Sequence, residues 1–156
     1  AVVRGIITGN AATLFNNGIT ASFKYLYLLP DGTTSGNPTA DAATYMTNNN
    51  TSYLVNFALA TTTAQQIEAI ITQKYIALNM VNSEEAWHEY RRTHYPAIIS
   101  TAGATGTQTF ASSVSESTAP DKLPTRILYP SNEGSLNTAN VPRGISPYTS
   151  KIFWAL

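Results

Sequence analysis

The chain has no cysteine in its 156 residues. That excludes an internal disulfide, a cysteine-ligated zinc and a thiol nucleophile. Charge is scarce too. Asp, Glu, Lys and Arg make up 12% of the chain, against about a quarter in ordinary globular proteins. The formal net charge is zero. With no basic stripe, nothing is set out to neutralise a phosphate backbone, so nucleic acid is not an expected partner. No apolar run approaches the roughly 20 residues that span a bilayer, and no signal peptide is visible. Compact catalytic signatures are also missing. There is no G-x-S-x-G elbow and no G-x-x-x-x-G-K phosphate loop. Three residues after Ser146 stands Thr149 rather than the lysine of an S-x-x-K pair.

What is present is 43% hydrophobic, enough to build the core of one domain of ordinary size. Ser, Thr, Asn and Ala take the place of charge, a surface that suits an extracytoplasmic setting better than a cytosolic one. The clearest pattern runs over 63–96. Ile67, Ile70, Ile71, Tyr75 and Leu78 recur at helical spacing and predict a buried helix face. Thr62 or Thr63, with Gln65 or Gln66 three residues on, gives a capping-box start. The pattern pauses over 79–83. Asn82, three residues before Glu85, then opens a second helical stretch with Ala86, Trp87, Tyr90 and Arg91 on one side. Pro96 is expected to stop it. The segment is therefore one long helix with a break, or two helices in sequence.

Upstream, residues 1–9 read as the end of a helix stopped at Gly9 and Asn10. A chain that opens inside a helix reads as a fragment, with any targeting sequence further upstream. From about Ala11 a helix with Leu14, Phe15, Ile19, Ser22, Phe23, Leu26 and Tyr27 on one side is expected. It would form an antiparallel hairpin with the first helix. Gly18 inside it predicts close helix packing. A turn at Pro30, Asp31 and Gly32 precedes a polar loop. A short helix over 41–48 is predicted to carry Tyr45 and Met46, and a short apolar stretch covers 53–59.

The composition changes after Pro96. Residues 97–119 hold one charge, Glu116, and no helical period. They read as a loop with weak strand character in preference to a small β-hairpin. Residues 120–156 are rich in turns, and six of the eight prolines lie from Pro96 onward. This predicts ordered irregular backbone, since Ile127, Leu128, Tyr129, Ile145, Tyr148, Ile152, Phe153 and Trp154 need burial against the helices.

Several residues invite a chemical reading. His88 and Glu89 begin an H-E-x-x-H zinc motif, but the second histidine would stand at position 92, which is Arg92. Glu84, His88 and His94 are a weaker ligand set than a solvated helix face. Glu85 and Glu89 share a helix face, as a glycosidase pair would. Yet arginines stand in reach, and Glu89 with Arg92 at i, i+3 reads as an ion pair. No catalytic residue, metal or cofactor is therefore expected. The aromatic residues remain: nine Tyr, five Phe and two Trp. An aromatic face stacks on the C–H face of a sugar while amide or guanidinium groups bond its hydroxyls. Trp87, at helical spacing, reads as core. Tyr45, Tyr53, Tyr148 and Trp154 lie in short or irregular segments and are the candidate ligand-binding residues.

Five segments, in order, resemble one family. EAWHEYRRTHYP at 85–96 resembles the E-A-W-x-E-Y-R-R-T-G-Y-P signature of SusD/RagB-like outer-membrane nutrient-binding lipoproteins of Bacteroidetes. ITQKYIALNM at 71–80 is similar to the family's I-x-x-Q-K-[WY]-I-A-L. LPTRILYPSNEGSLN at 123–137 resembles L-P-x-R-x-x-Y-P-x-x-E-x-x-x-N. GITASFKYL at 18–26 resembles G-I-x-A-S-F, and the closing YTSKIFWAL loosely resembles a V-W-W-D-type ending. His94 stands where glycine is usual, and 97–120 reads as a longer insert.

The resemblance implies a mainly α fold, a tetratricopeptide-like helical scaffold with an irregular, loop-rich C-terminal part. On that reading the chain is the C-terminal part of a single domain, helical over 1–96 with a loop-rich cover over 97–156. It implies a binding protein rather than an enzyme, one that captures starch-like oligosaccharide or polysaccharide at the cell surface. Such proteins pass the glycan to a TonB-dependent (SusC-like) outer-membrane transporter. They are surface-exposed lipoproteins of the outer membrane, held by a lipid anchor that would lie outside this fragment. The signature residues read as scaffold, with Trp87 and Tyr90 packing and Arg91 and Arg92 pairing. The alternative is a helical scaffold that binds protein or peptide only, without sugar.

Overall fold

The computed structural model describes residues 1–97 and 123–155. The loop or hairpin expected over 97–119 lies almost wholly outside the described residues. Among those described, the fold is mainly α, with five α-helices and no strand beyond one isolated bridge between Leu28 and Thr34. The chain divides into two compact units, Ala1–Trp87 and His88–Leu156.

The first unit begins with a single 3-10 turn, Val2–Arg4, closed by Gly5 in the left-handed region at φ 69°. The helix expected over 1–9 is therefore only this turn, and its stop is Gly5 rather than Gly9. With so short a partner, no hairpin forms at the start of the chain. Instead α1 (Ala11–Leu26) packs on α2 (Pro38–Asn48). Asn10 caps α1 by accepting from Thr13 N at 3.0 Å, and Asn37 caps α2 by accepting from Ala40 N at 3.1 Å. The second helix thus starts three residues before the expected Asp41. Its Pro38 sits at the first position, where the missing N–H costs nothing.

Phe15 and Ile19 of α1 are buried together with Phe57 and Ala69, and this is the core of the unit. Phe57 lies on a 3-10 turn, Phe57–Leu59, with its ring centroid 4.9 Å from that of Phe15. The rest of the expected α1 face is covered only in part: Ser22, Phe23 and Tyr27 are half-buried, and Phe23 packs against the core. Leu14 and Leu26 are more than half exposed, and a Cβ built on Gly18 would meet nothing within 4 Å. Gly18 therefore faces open space, not a close-packed helix.

The segment that breaks over 79–83 is two helices, α3 (Thr63–Leu78) and α4 (Ser83–Thr93). Thr62 Oγ1 accepts from Gln65 N at 3.2 Å, and Gln65 Oε1 accepts in return from Thr62 N at 3.2 Å. The capping box is complete. Thr62→Ala should therefore destabilise the chain by about 1 kcal/mol, read from the midpoint of urea denaturation. The buried line of α3 runs through Ala69 and Ile71, while Ile70 is exposed. Of the expected series, Ile71 is buried and Ile67, Tyr75 and Leu78 are half-buried, so only Ile70 departs from it.

Between the two helices, Met80 takes a left-handed conformation at φ 61° with its side chain 98% exposed. A β-carbon there is strained against the backbone and gains no contact in return. Met80→Gly should raise the unfolding free energy by about 0.5–1 kcal/mol, measured by the same denaturation. His94, directly after α4, has φ 58° and donates its N–H to Tyr90 O at 2.7 Å. That left-handed turn ends α4 at Thr93, ahead of Pro96. It also gives the physical reason why glycine suits this place.

The second unit holds the last part of α4, a one-and-a-half-turn α5 (Ser131–Leu136) and irregular backbone. The irregular segments are tied together. Thr125 donates from N to Pro147 O at 2.6 Å and from Oγ1 to Ser150 O at 3.1 Å. Asn137 Nδ2 donates to Glu133 Oε1 at 2.6 Å, one helical turn apart. The expectation that all the apolar residues here are buried is only partly met. Ile145, Tyr148 and Ile152 are half-buried, but Ile127, Leu128, Tyr129, Phe153 and Trp154 are exposed.

Candidate functional site

The four candidate aromatic residues fall into both units. Tyr45, on α2, is half-buried with its ring tilted against Phe23 at 5.8 Å between centroids. Its hydroxyl accepts from Gln73 Nε2 at 3.0 Å, and the same amide nitrogen donates to Leu54 O at 3.0 Å. Tyr53, also half-buried, donates its hydroxyl to Glu68 Oε2 at 2.7 Å. Both hydroxyls are therefore fastened to α3. Tyr148 is half-buried and its N–H donates to Ser146 Oγ at 3.2 Å. None of these three lines the cleft that holds the fourth.

Trp154 is different. It keeps 37% of its surface exposed. It lines a cleft of about 210 Å³ with His88, Glu89 and Arg92. These three project from α4, whose i, i+1 and i+4 spacing sets them along one side of the last turns. The Arg91 guanidinium lies under the indole, its carbon 4.8 Å from the ring centroid, and Nη1 donates to Thr125 O at 3.2 Å. The ring of His88 meets the indole edge-on, with centroids 6.2 Å apart. Glu89 Oε2 accepts from both Nε and Nη2 of Arg92, the first at 3.1 Å. The expected Glu89–Arg92 pair is present, whereas Arg91 is buried and serves the indole and a carbonyl.

Chemically, the cleft offers one aromatic face, an imidazole, a carboxylate and a guanidinium. That set can stack on an apolar ring face and exchange hydrogen bonds with hydroxyls. Its volume is below the roughly 300–1,000 Å³ of pockets that enclose whole small molecules, so it fits one ring of a chain better than a whole ligand. Sequence reading named Trp154 as a candidate and left His88, Glu89 and Arg92 as a solvated or scaffold face. The spacing of these three was the available signal. That a tryptophan more than sixty positions later would rest on them was not readable from period.

Glu85 and Glu89, considered as a carboxylate pair, are each engaged by a cation. Lys74 Nζ lies 2.7 Å from Glu85 Oε1, and Arg92 holds Glu89. Among the described residues no group of three His, Cys, Asp or Glu side chains is placed to hold a metal ion. No described helix is long and apolar enough to cross a membrane.

A helical frame that presents an aromatic ring beside hydrogen-bonding side chains has the make-up of a binding protein. The chain belongs to the SusD-like family, described as starch-binding and associating with the outer membrane, whose model matches residues 1–130. The match takes in His88, Glu89 and Arg92; Trp154 lies beyond it. No curated protein and no solved structure matches the chain.

Proposed function

We propose that this protein captures starch-like oligosaccharide at the outer-membrane surface and passes it to a TonB-dependent, SusC-like transporter. The ligand contact is Trp154, with His88, Glu89 and Arg92 bonding the hydroxyls of the stacked sugar. The observation that carries this reading is the half-open indole face set among those three polar side chains. The family's description, starch-binding and associating with the outer membrane, supports the ligand class and the location. Tyr45, Tyr53 and Tyr148 are assigned to wider ligand contact or to support, and Tyr45→Phe and Tyr53→Phe distinguish the two.

The test is calorimetric titration of the full-length protein with maltoheptaose, repeated with Trp154→Ala. Stacking of a ring on an aromatic side chain contributes about 1–3 kcal/mol, so the variant should bind roughly 5- to 150-fold more weakly. Absence of binding by the wild type to any starch-like glycan, together with no co-purifying transporter, would remove the proposal.

A second reading, a helical scaffold that binds protein or peptide only, is favoured by one feature of the first unit. An apolar groove of about 610 Å³ runs between α1 and α3, lined by Leu14, Phe23, Leu26, Ile70 and Ile76. Its walls suit an amphipathic helix better than a sugar. Maltoheptaose binding that depends on Trp154 decides for the first reading.

A further inference from the structure

Two lines of contact fix the Trp154 indole, and both begin at Thr125. The first runs through the floor of the ring. Thr125 O accepts from Arg91 Nη1 at 3.2 Å, and the same guanidinium carbon lies 4.8 Å from the indole centroid. The second runs through the chain that leads to the ring. Thr125 Oγ1 donates to Pro147 O at 2.9 Å and to Ser150 O at 3.1 Å. Ser150 closes its own loop, with Oγ accepting from Ser146 N at 3.0 Å and its N–H donating to Ser146 O at 3.2 Å. Just beyond it, Ala155 N donates to Ile152 O at 3.0 Å and closes the turn that carries Trp154. Thr125 is half-buried and is not among the side chains that line the cleft.

We infer that Thr125 is a positioning residue for glycan capture: its carbonyl holds the floor under the indole, and its hydroxyl holds the chain that delivers the indole. The inference rests on the proposal that Trp154 is the glycan contact. One residue that anchors both fixes the guanidinium and the ring relative to each other. An indole held in this way is ordered before the sugar arrives, whereas ordering a loose side chain during association costs affinity. The backbone carbonyl of Thr125 survives a side-chain substitution, so the contact to Arg91 stays. The hydroxyl is the removable part, and its loss takes a donor from Ser150 O.

The experiment is calorimetric titration of the full-length protein with maltoheptaose, for the wild type, Thr125→Val and Thr125→Ser. Valine keeps the branched shape without the hydroxyl, and serine keeps the hydroxyl. Thr125→Val should bind roughly three- to tenfold more weakly, and Thr125→Ser should stay within about twofold of the wild type. The ligand-free proteins are also labelled with 5-fluorotryptophan. In Thr125→Val the Trp154 resonance should shift or broaden, and in Thr125→Ser it should return to its wild-type place. A merely structural role would lower the thermal midpoint and leave that resonance and the affinity of the folded protein unmoved. Wild-type affinity in Thr125→Val overturns the inference. So does a loss as large in Thr125→Ser, or a loss with an unmoved Trp154 resonance. If Thr125→Val does not fold, Thr125→Ala takes its place. Failure of both to fold makes the hydroxyl a requirement of folding and overturns the inference too. No binding by the wild type overturns it together with the capture reading. Binding lost in Trp154→Ala but kept in Thr125→Val overturns the inference alone.

Discussion

Phe57→Ala is expected to lower the unfolding free energy by about 3 kcal/mol, seen as a reduced urea midpoint with an unchanged slope. The side chain is buried, and its ring lies 4.9 Å from that of Phe15 in the buried cluster that joins α1 to the segment before α3. Truncation removes that ring contact and leaves a cavity that Ile19 and Ala69 are too short to fill. The turn carrying Phe57 cannot easily collapse inward. Asn56 fixes it by donating Nδ2 to Asn50 O at 2.9 Å and accepting from Ala58 N at 3.3 Å. Phe57→Leu retains most of the volume and should cost about half as much.

Arg91→Ala is the second large effect, expected to destabilise the second unit by about 2–3 kcal/mol. A hydrogen bond from a charged donor contributes about 1.5–3 kcal/mol, and a desolvated cation over an indole up to about 2 kcal/mol. Arg91 makes both kinds of contact while only 8% exposed. Arg91→Lys keeps the charge but neither the flat face nor the fork, so it should recover less than half of the loss. Because Arg91 is the floor under Trp154, either variant should also weaken glycan binding. Chemical denaturation and calorimetry on the same samples separate the two consequences.

Much of the helical frame could be read from the chain, for local reasons. The capping box at Thr62 and Gln65 and the second start at Asn82 are interactions within four residues, so the pattern of residue types nearly determines them. The i, i+3 pair of Glu89 and Arg92 is equally local. Readings failed where the outcome depended on what lies opposite. Leu14, Gly18 and Leu26 belong to a helix face wider than its partners cover, and periodicity cannot say where cover ends. Residues 1–9 show apolar spacing too short to settle between a turn and a helix, and Gly5 ended it first. Left-handed Met80 and His94 are invisible to any propensity rule that expects glycine there.

For the site, sequence supplied the residue types but not the grouping. Trp154 was a candidate because it sits in irregular chain, while His88, Glu89 and Arg92 were set aside as helix surface. Their meeting depends on how the backbone from Thr125 to Ser150 is stitched, through hydrogen bonds that span more than twenty residues. No spacing rule reports contacts of that range.

The chain has two tryptophans, Trp87 and Trp154, so a protein labelled with 5-fluorotryptophan gives one fluorine resonance from each. Titration with maltoheptaose, with Trp154→Phe used to assign the signals, follows the indole face directly. The account predicts that the Trp154 resonance moves saturably with the calorimetric binding constant, while that of Trp87 moves much less. Glycan binding by calorimetry with an unmoved Trp154 resonance would contradict it.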